Sequence, residues 1–99
     1  MSGREYIKKW AERLVGYITE KYDNMEDAEN EAIDAIEKHM RWICENVEIE
    51  LKNTDYIPDS DDAVFYTYEV TCDDEKITIR AIAYSRTDFD IEIDHVEQR

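Results

Sequence analysis

Glycine and proline are nearly missing from this chain, with two glycines and one proline in 99 residues. So few turn formers exclude collagen-like and loop-rich architectures and leave mostly regular elements. Gly3 and Gly16 form neither GxGxxG nor GxxxxGK[ST], so the phosphate-cradling loops of nucleotide enzymes are missing as well. Long apolar runs are also missing. No stretch is long enough to cross a bilayer, and no apolar run follows a basic N-terminal region, so neither a membrane span nor a secretory signal is expected. Cysteine is limited to Cys44 and Cys72, which sit among apolar residues. They are expected as free core thiols in a reducing compartment, which places the chain in the cytoplasm.

Positive charge is the scarcest property of all. Twelve Lys and Arg face 26 Asp and Glu, for a net charge of -14. The imbalance is local. Residues 23–37 hold acids and no basic residue, and so do residues 88–97. Between Glu45 and Glu75 the only basic residue is Lys52. Residues 4–21 are the exception, with Arg4, Lys8, Lys9, Arg13 and Lys21. Such a field repels nucleic acid and anionic membranes and attracts basic surfaces. Eleven per cent aromatic residues argue for a folded core despite this charge. The length suits one domain, spanning residues 1–99.

Periodicity predicts two helices and then strands. Ser2 and Glu5 form a capping box, and Ile7, Trp10, Ala11, Leu14 and Ile18 follow at helical spacing. Asp23 and Asn24 break this helix and cap the next. The second carries Ala28, Ala32, Ala35, Ile36, Met40, Ile43 and Val47 on one stripe. Val47 and Leu51 continue that stripe, so helix to about Lys52 is expected. The alternation of Val47, Ile49 and Leu51 with Glu48 and Glu50 also fits a fourth strand. After a loop at 53–62, three strands alternate at 63–72, 76–85 and 89–96. Their inward sets are Val64, Tyr66, Tyr68, Val70, Cys72; Ile77, Ile79, Ala81, Ala83; and Phe89, Ile91, Ile93, His95. A loop at 73–76 sets Cys72 against Ile77, Thr71 against Thr78, Glu69 against Arg80 and Phe65 against Tyr84. A loop at 86–88 sets Ser85 against Phe89 and Arg80 against Asp94. The expected fold is therefore α+β, two antiparallel helices on one face of a three-stranded antiparallel meander, or four-stranded if residues 47–51 extend. Trp10, Leu14, Ile36, Met40 and Ile43 should bury against Tyr66, Tyr68, Ile79, Ile91 and Ile93.

No catalytic constellation emerges, so the chain is expected not to be an enzyme and to need no cofactor or metal. Asp59, Asp61 and Asp62 resemble a calcium loop, but it lacks the turn glycine, and Val70 stands at its twelfth position. Cys44, Cys72, His39 and His95 show no paired zinc-ligand spacing. Pro58-Asp59 and Asp74-Glu75-Lys76 match a loose nuclease pattern, with the second half in a turn. The remaining signal is acidic. Alternate strand residues are about 6.6 Å apart, close to successive phosphates on one nucleic-acid strand. Asp90, Glu92 and Asp94 form such a row. Glu26, Glu29, Asp34 and Glu37 can add a second row from the helix. Phe65, Ile82 and Tyr84 close one end of the outer sheet face, where Phe65 and Tyr84 are candidate apolar anchors.

In size, charge, cysteine content and element order, the whole chain resembles a group of small acidic phage and plasmid inhibitors of host defence, the anti-CRISPR and anti-restriction proteins, several of which mimic DNA. It also looks like some bacterial double-stranded-DNA-mimic proteins. The resemblance carries no diagnostic motif and assigns no residue a role. It implies a cytoplasmic, non-enzymatic inhibitor whose partner is a basic nucleic-acid-binding protein, a CRISPR effector or restriction enzyme, without direct nucleic-acid or membrane binding. The alternative is a self-associating or adaptor domain, with a homodimer through Phe65, Ile82 and Tyr84 and acids that serve solubility.

Overall fold

Apolar residues recurring every three or four positions start the chain as a helix. In the computed structural model, which describes residues 3–56, 63–83 and 89–98, α1 covers Gly3–Glu12 and buries Ile7 and Ala11. The capping serine expected at Ser2 lies outside the described residues. The expected continuation towards Tyr22 does not form. Residues 13–16 make a turn, and Gly16 takes φ +95, a left-handed value that glycine adopts without steric cost. Tyr17, Ile18, Thr19 and Tyr22 are strand formers. This segment runs extended beside the start of the last strand, bridging Ile18 to Glu92 and Tyr22 to Phe89. Ile18, expected in the helical stripe, is 54% exposed.

The second helix starts as its sequence predicts. Asn24 is the N-cap, and its side chain accepts the Asp27 N–H at 2.9 Å. α2 covers Met25–Met40 and buries Ala28, Ala32, Ile36 and Met40. It stops there, and helix to Lys52 is not observed. β1, Val47–Tyr56, follows instead. The reason lies in the apolar set. A helix would place Val47 and Leu51 on its stripe but leave Ile49 off it. A strand puts all three on one face and favours β-branched Val47 and Ile49. The sheet is accordingly four-stranded, in the order β1-β2-β3-β4, with β2 Val64–Cys72, β3 Glu75–Ala83 and β4 Glu92–Gln98, all antiparallel. The architecture is α+β, ααββββ in chain order.

The first hairpin of the expected meander is tighter than its sequence suggests. Cys72 pairs with Glu75 across a two-residue turn, Asp73-Asp74, and Asp73 takes φ +56. Aspartate tolerates this region, so the turn forms without glycine. The register is displaced by two residues from the expected one. Glu69 faces Thr78, Arg80 faces Thr67, and Phe65 faces Ile82. A shift of two keeps parity, so Tyr66, Tyr68, Val70, Cys72, Ile77, Ile79, Ala81 and Ala83 stay on the buried face.

In β4 a bulge intervenes. Ala81 pairs with Ile93 and Arg80 with His95, which leaves Asp94 as the extra residue. Parity flips beyond it. His95, expected inward, is exposed opposite Arg80, where Asp94 was expected, and Val96 is buried in its place. One core cluster joins Ile7, Ala11 and Leu14, Ala28, Ala32, Ile36 and Met40, and the inward residues of β2, β3 and β4, with Trp10 and Ile43 at its margin.

The cysteines correct a further expectation. Cys44 and Cys72 are not free thiols but form a disulfide with Cα atoms 5.4 Å apart. It ties the turn after α2 to the end of β2. Beside it, the Asp73 N–H donates to the Asn46 carbonyl at 2.9 Å, and the Asn46 N–H donates to Asp73 Oδ1 at 2.9 Å. The position of the cysteines in different elements, read from sequence, did not reveal that β1 would carry Cys44 to the hairpin.

Candidate partner-binding surface

The segment 16–22 decides where the acids meet. Gly16 N–H donates to the Ile93 carbonyl at 2.8 Å, Thr19 N–H to Ile91 at 2.9 Å, and Tyr22 N–H to Phe89 at 3.0 Å. The Thr19 hydroxyl accepts the Ile91 N–H at 2.9 Å. Because α2 begins three residues after Tyr22, this pairing sets the N-terminus of α2 near Phe89, which lies three residues before β4. Asp23 and Asp90 each adjoin the Tyr22–Phe89 bridge, while Glu92 lies at the Ile18 bridge four residues back along the segment.

The two expected rows are therefore rearranged. Asp90 and Glu92 are half-buried and Asp94 is exposed in the bulge, so the even spacing expected along the strand stops at Glu92. Glu26 lies four residues beyond Tyr22, whose bridge to Phe89 links this segment to the start of α2. Asp34 and Glu37 lie up to eleven residues further along α2, roughly 16 Å away at 1.5 Å per residue. Both are occupied on their own helix, Asp34 by Lys38 at 3.0 Å and Glu37 by Arg41 at 2.5 Å. Glu29 is half-buried. Its carboxylate adds to the burial that raises the Tyr68 hydroxyl pKa. Among the described residues, Glu26, Glu29, Asp90, Glu92 and Asp94 have no basic partner within salt-bridge distance.

The open sheet face is more neutral. A depression of about 450 Å³ there is bordered by Lys52, Asp55, Glu69, Arg80 and Glu97. Glu69 is not the partner of Arg80. Its carboxylate lies 3.9 Å from Lys52 and 3.6 Å from Lys76. Arg80 instead stacks over the Phe65 ring at 5.4 Å, which leaves Phe65 half-buried. Ile82 is buried at 4% exposure. Tyr84, Asp59, Asp61, Asp62 and Pro58 lie outside the described residues. Among the described residues, no group of three or more His, Cys, Asp or Glu side chains is placed to hold a metal ion. His39 is engaged structurally. It stacks on Trp10 at 4.6 Å, and its Nε2 donates to the Trp10 carbonyl at 2.6 Å while Trp10 Nε1 donates to the His39 carbonyl at 2.7 Å.

Glu31, which the sequence did not single out, holds segment 17–22 against α2. Its carboxylate accepts the Tyr17 hydroxyl, the Tyr22 hydroxyl at 2.7 Å and the Glu20 N–H at 3.0 Å. These bonds fasten segment 17–22 to α2. Burial pushes the Glu31 pKa up, but the bonds from Tyr17, Tyr22 and Glu20 outweigh it and hold the pKa below its ordinary value. Hydrogen bonding to Glu31 in turn pushes both tyrosines up to about 12. The stability contributed by Glu31 is complete above its ordinary pKa and is lost as pH falls through the lowered one. The stability contributed by the tyrosines is complete below about 10 and is lost as pH rises through the raised values. Replacing Glu31 with Gln should lower the melting temperature at neutral pH, and the deficit should shrink as the wild type is acidified. Parallel melting curves for both proteins at all pH values would refute the latch.

Comparison with protein-family models, with curated proteins and with solved structures finds no match to this chain.

Proposed function

We propose that this chain is a non-enzymatic acidic protein that binds the basic nucleic-acid-binding surface of a partner and inhibits it, as an anti-CRISPR or anti-restriction protein acting by nucleic-acid mimicry in the host cytosol. The observation that carries this reading is the set of carboxylates around the Tyr22–Phe89 and Ile18–Glu92 bridges that have no basic partner among the described residues. Asp34, Glu37, Glu50 and Glu69 have basic neighbours within the chain. Among the described residues, Glu26, Asp90, Glu92 and Asp94 have none, so their charge is available to an incoming cation. An arginine fork that normally clasps phosphate makes the same charge-assisted hydrogen bonds to a carboxylate. Repulsion among neighbouring acids is relieved when the partner's cations arrive, and the field of the whole chain speeds encounter.

In this reading the two helices lie antiparallel over the buried sheet face, and these carboxylates and the open face remain for the partner. The alternative, self-association through Phe65, Ile82 and Tyr84, loses support because Ile82 is buried and Arg80 covers Phe65.

A competition assay tests the proposal. Purified CRISPR effectors and restriction enzymes are titrated with this protein while duplex DNA binding is followed. At least one should lose DNA binding, with inhibition weakening steeply between low and high salt. The protein alone should not retard duplex DNA at micromolar concentration. Failure to compete with any member of the panel, or direct DNA binding, overturns the reading.

A further inference from the structure

We propose that the free edge of β1, residues 47–51, is a strand-addition site for an extended segment of a partner protein in which Lys or Arg alternates with apolar residues. β1 ends the sheet on the side away from β4. That is three interstrand spacings from Glu92, about 14 Å, so this site stands independently of the acids there.

The hydrogen-bond phase of the edge follows from one contact. Asp73 N–H donates to the Asn46 carbonyl, which makes Asn46 and Asp73 a hydrogen-bonded pair. In an antiparallel ladder such pairs alternate. Glu48 opposite Thr71 and Glu50 opposite Glu69 then bond inward to β2. Val47, Ile49 and Leu51 direct their N–H and C=O groups outward. No backbone group among the described residues takes them up. Long edges of this kind are usually blunted by a bulge or a lysine. Here both devices come late, with Lys52 at the register shift between Leu51 and Asn53. The stretch before it is regular and open.

Side chains on this stretch specify the occupant. Glu48 and Glu50 are exposed on the open sheet face. Glu48 has no cation within salt-bridge distance among the described residues. Glu50 lies 3.2 Å from the exposed Lys52, an ion pair in solvent that an added strand can exchange. Val47 and Ile49 are half-buried on the other face, and Leu51 is 43% exposed there. An added strand therefore meets acids on one face and apolar residues on the other, so alternating basic and apolar residues fit it in one register. A second copy of this chain does not fit. The two-fold pairing that uses all of residues 47–51 is centred on Ile49 and sets Glu48 against Glu50 twice, and like charges directly opposite are destabilising.

The test uses the full chain, a blocked heptapeptide alternating lysine and valine, and a control of the same composition with its lysines and valines in separate blocks. Amide exchange and chemical shifts are followed residue by residue. The alternating peptide should slow exchange at the Val47, Ile49 and Leu51 N–H groups and bind at least tenfold more tightly than the block peptide. The E48K/E50K variant should lose at least tenfold in affinity, and E48Q/E50Q, which adds no new charge, should lose less but in the same direction. Equal affinity for both peptides, shifts confined to Asp90 and Glu92, or slowed exchange at β1 that rises with protein concentration alone would each overturn the proposal. The last outcome would assign the edge to a second copy.

Discussion

Replacing Cys44 and Cys72 together by serine should lower the melting temperature by about 12–30 °C under non-reducing conditions. The cross-link spans a sequence separation of 28. Closing a loop of that size removes enough unfolded-chain entropy to stabilise the fold by about 3–4 kcal/mol in the chain-entropy account. For a domain of this size each kcal/mol moves the melting temperature by about 4–8 °C. The effect should be concentrated locally as well. The bond sits where β1 starts, next to the Asn46–Asp73 pair, so its loss should first free the β1–β2 end and raise amide exchange there. Both sulfur atoms belong to buried residues, Cys44 at 5% and Cys72 at 1% exposure. Reductant should therefore act slowly on the native protein and quickly once denaturant is added, even in a cytosolic setting that disfavours disulfides. Alkylation followed by mass measurement provides the direct check. Free thiols in the native, unreduced protein, or an unchanged melting temperature in the double serine variant, would remove the disulfide from the account of stability.

The sequence was most legible where a pattern was repeated over many residues. The α2 stripe of Ala28, Ala32, Ile36 and Met40 and the alternation of β2 and β3 identified the core correctly, because burial enforces periodicity on every residue of an element. Registers were less legible. The expected and observed β2–β3 pairings differ by two residues and bury the same face, so hydrophobic pattern does not distinguish them. The turn does, through an aspartate at positive φ whose conformation the sequence leaves open. Val47 and Leu51 satisfy a helical stripe, and Val47, Ile49 and Leu51 a strand alternation, so the local preference for a strand rests on Ile49 alone. Pairing with β2, a long-range contact, reinforces that preference. The same holds for residues 17–22. Gly16 and the strand formers Tyr17, Ile18 and Thr19 were the available signal, outweighed by a helical stripe running through Leu14. The bulge at Asp94 had no signal in composition, and with it went the inward placement of His95. The acidic site was half legible: Asp90, Glu92 and Glu26 were identifiable as candidates, but their placement depends on the extended segment that the helical reading concealed.

Reversing Asp90, Glu92 and Asp94 to lysine should reduce affinity for a DNA-binding partner by at least a hundredfold. A charge-assisted hydrogen bond contributes about 1.5–3 kcal/mol, and reversal adds repulsion to its loss. The backbone of this segment is held by ladder bonds from Thr19, Tyr22 and β3 that do not involve these carboxylates. The fold should therefore survive, with circular dichroism and melting temperature close to wild type. Reversing Glu26 should produce a smaller loss of the same kind, because it lies four residues beyond Tyr22, whose bridge to Phe89 links the two segments. Reversing Asp34 and Glu37 supplies the contrast. Those carboxylates are already occupied by Lys38 and Arg41 and lie at the far part of α2. Their loss should cost little affinity, and that little should come from the overall field. Salt separates the contributions further. Raising ionic strength screens the long-range field and should bring wild type and the Asp34/Glu37 variant together, while the triple variant stays weaker because close contacts are screened least. Equal affinity of the triple variant and wild type at low salt would show that the start of β4 is a solvated face and that mimicry, if it operates, uses other acids.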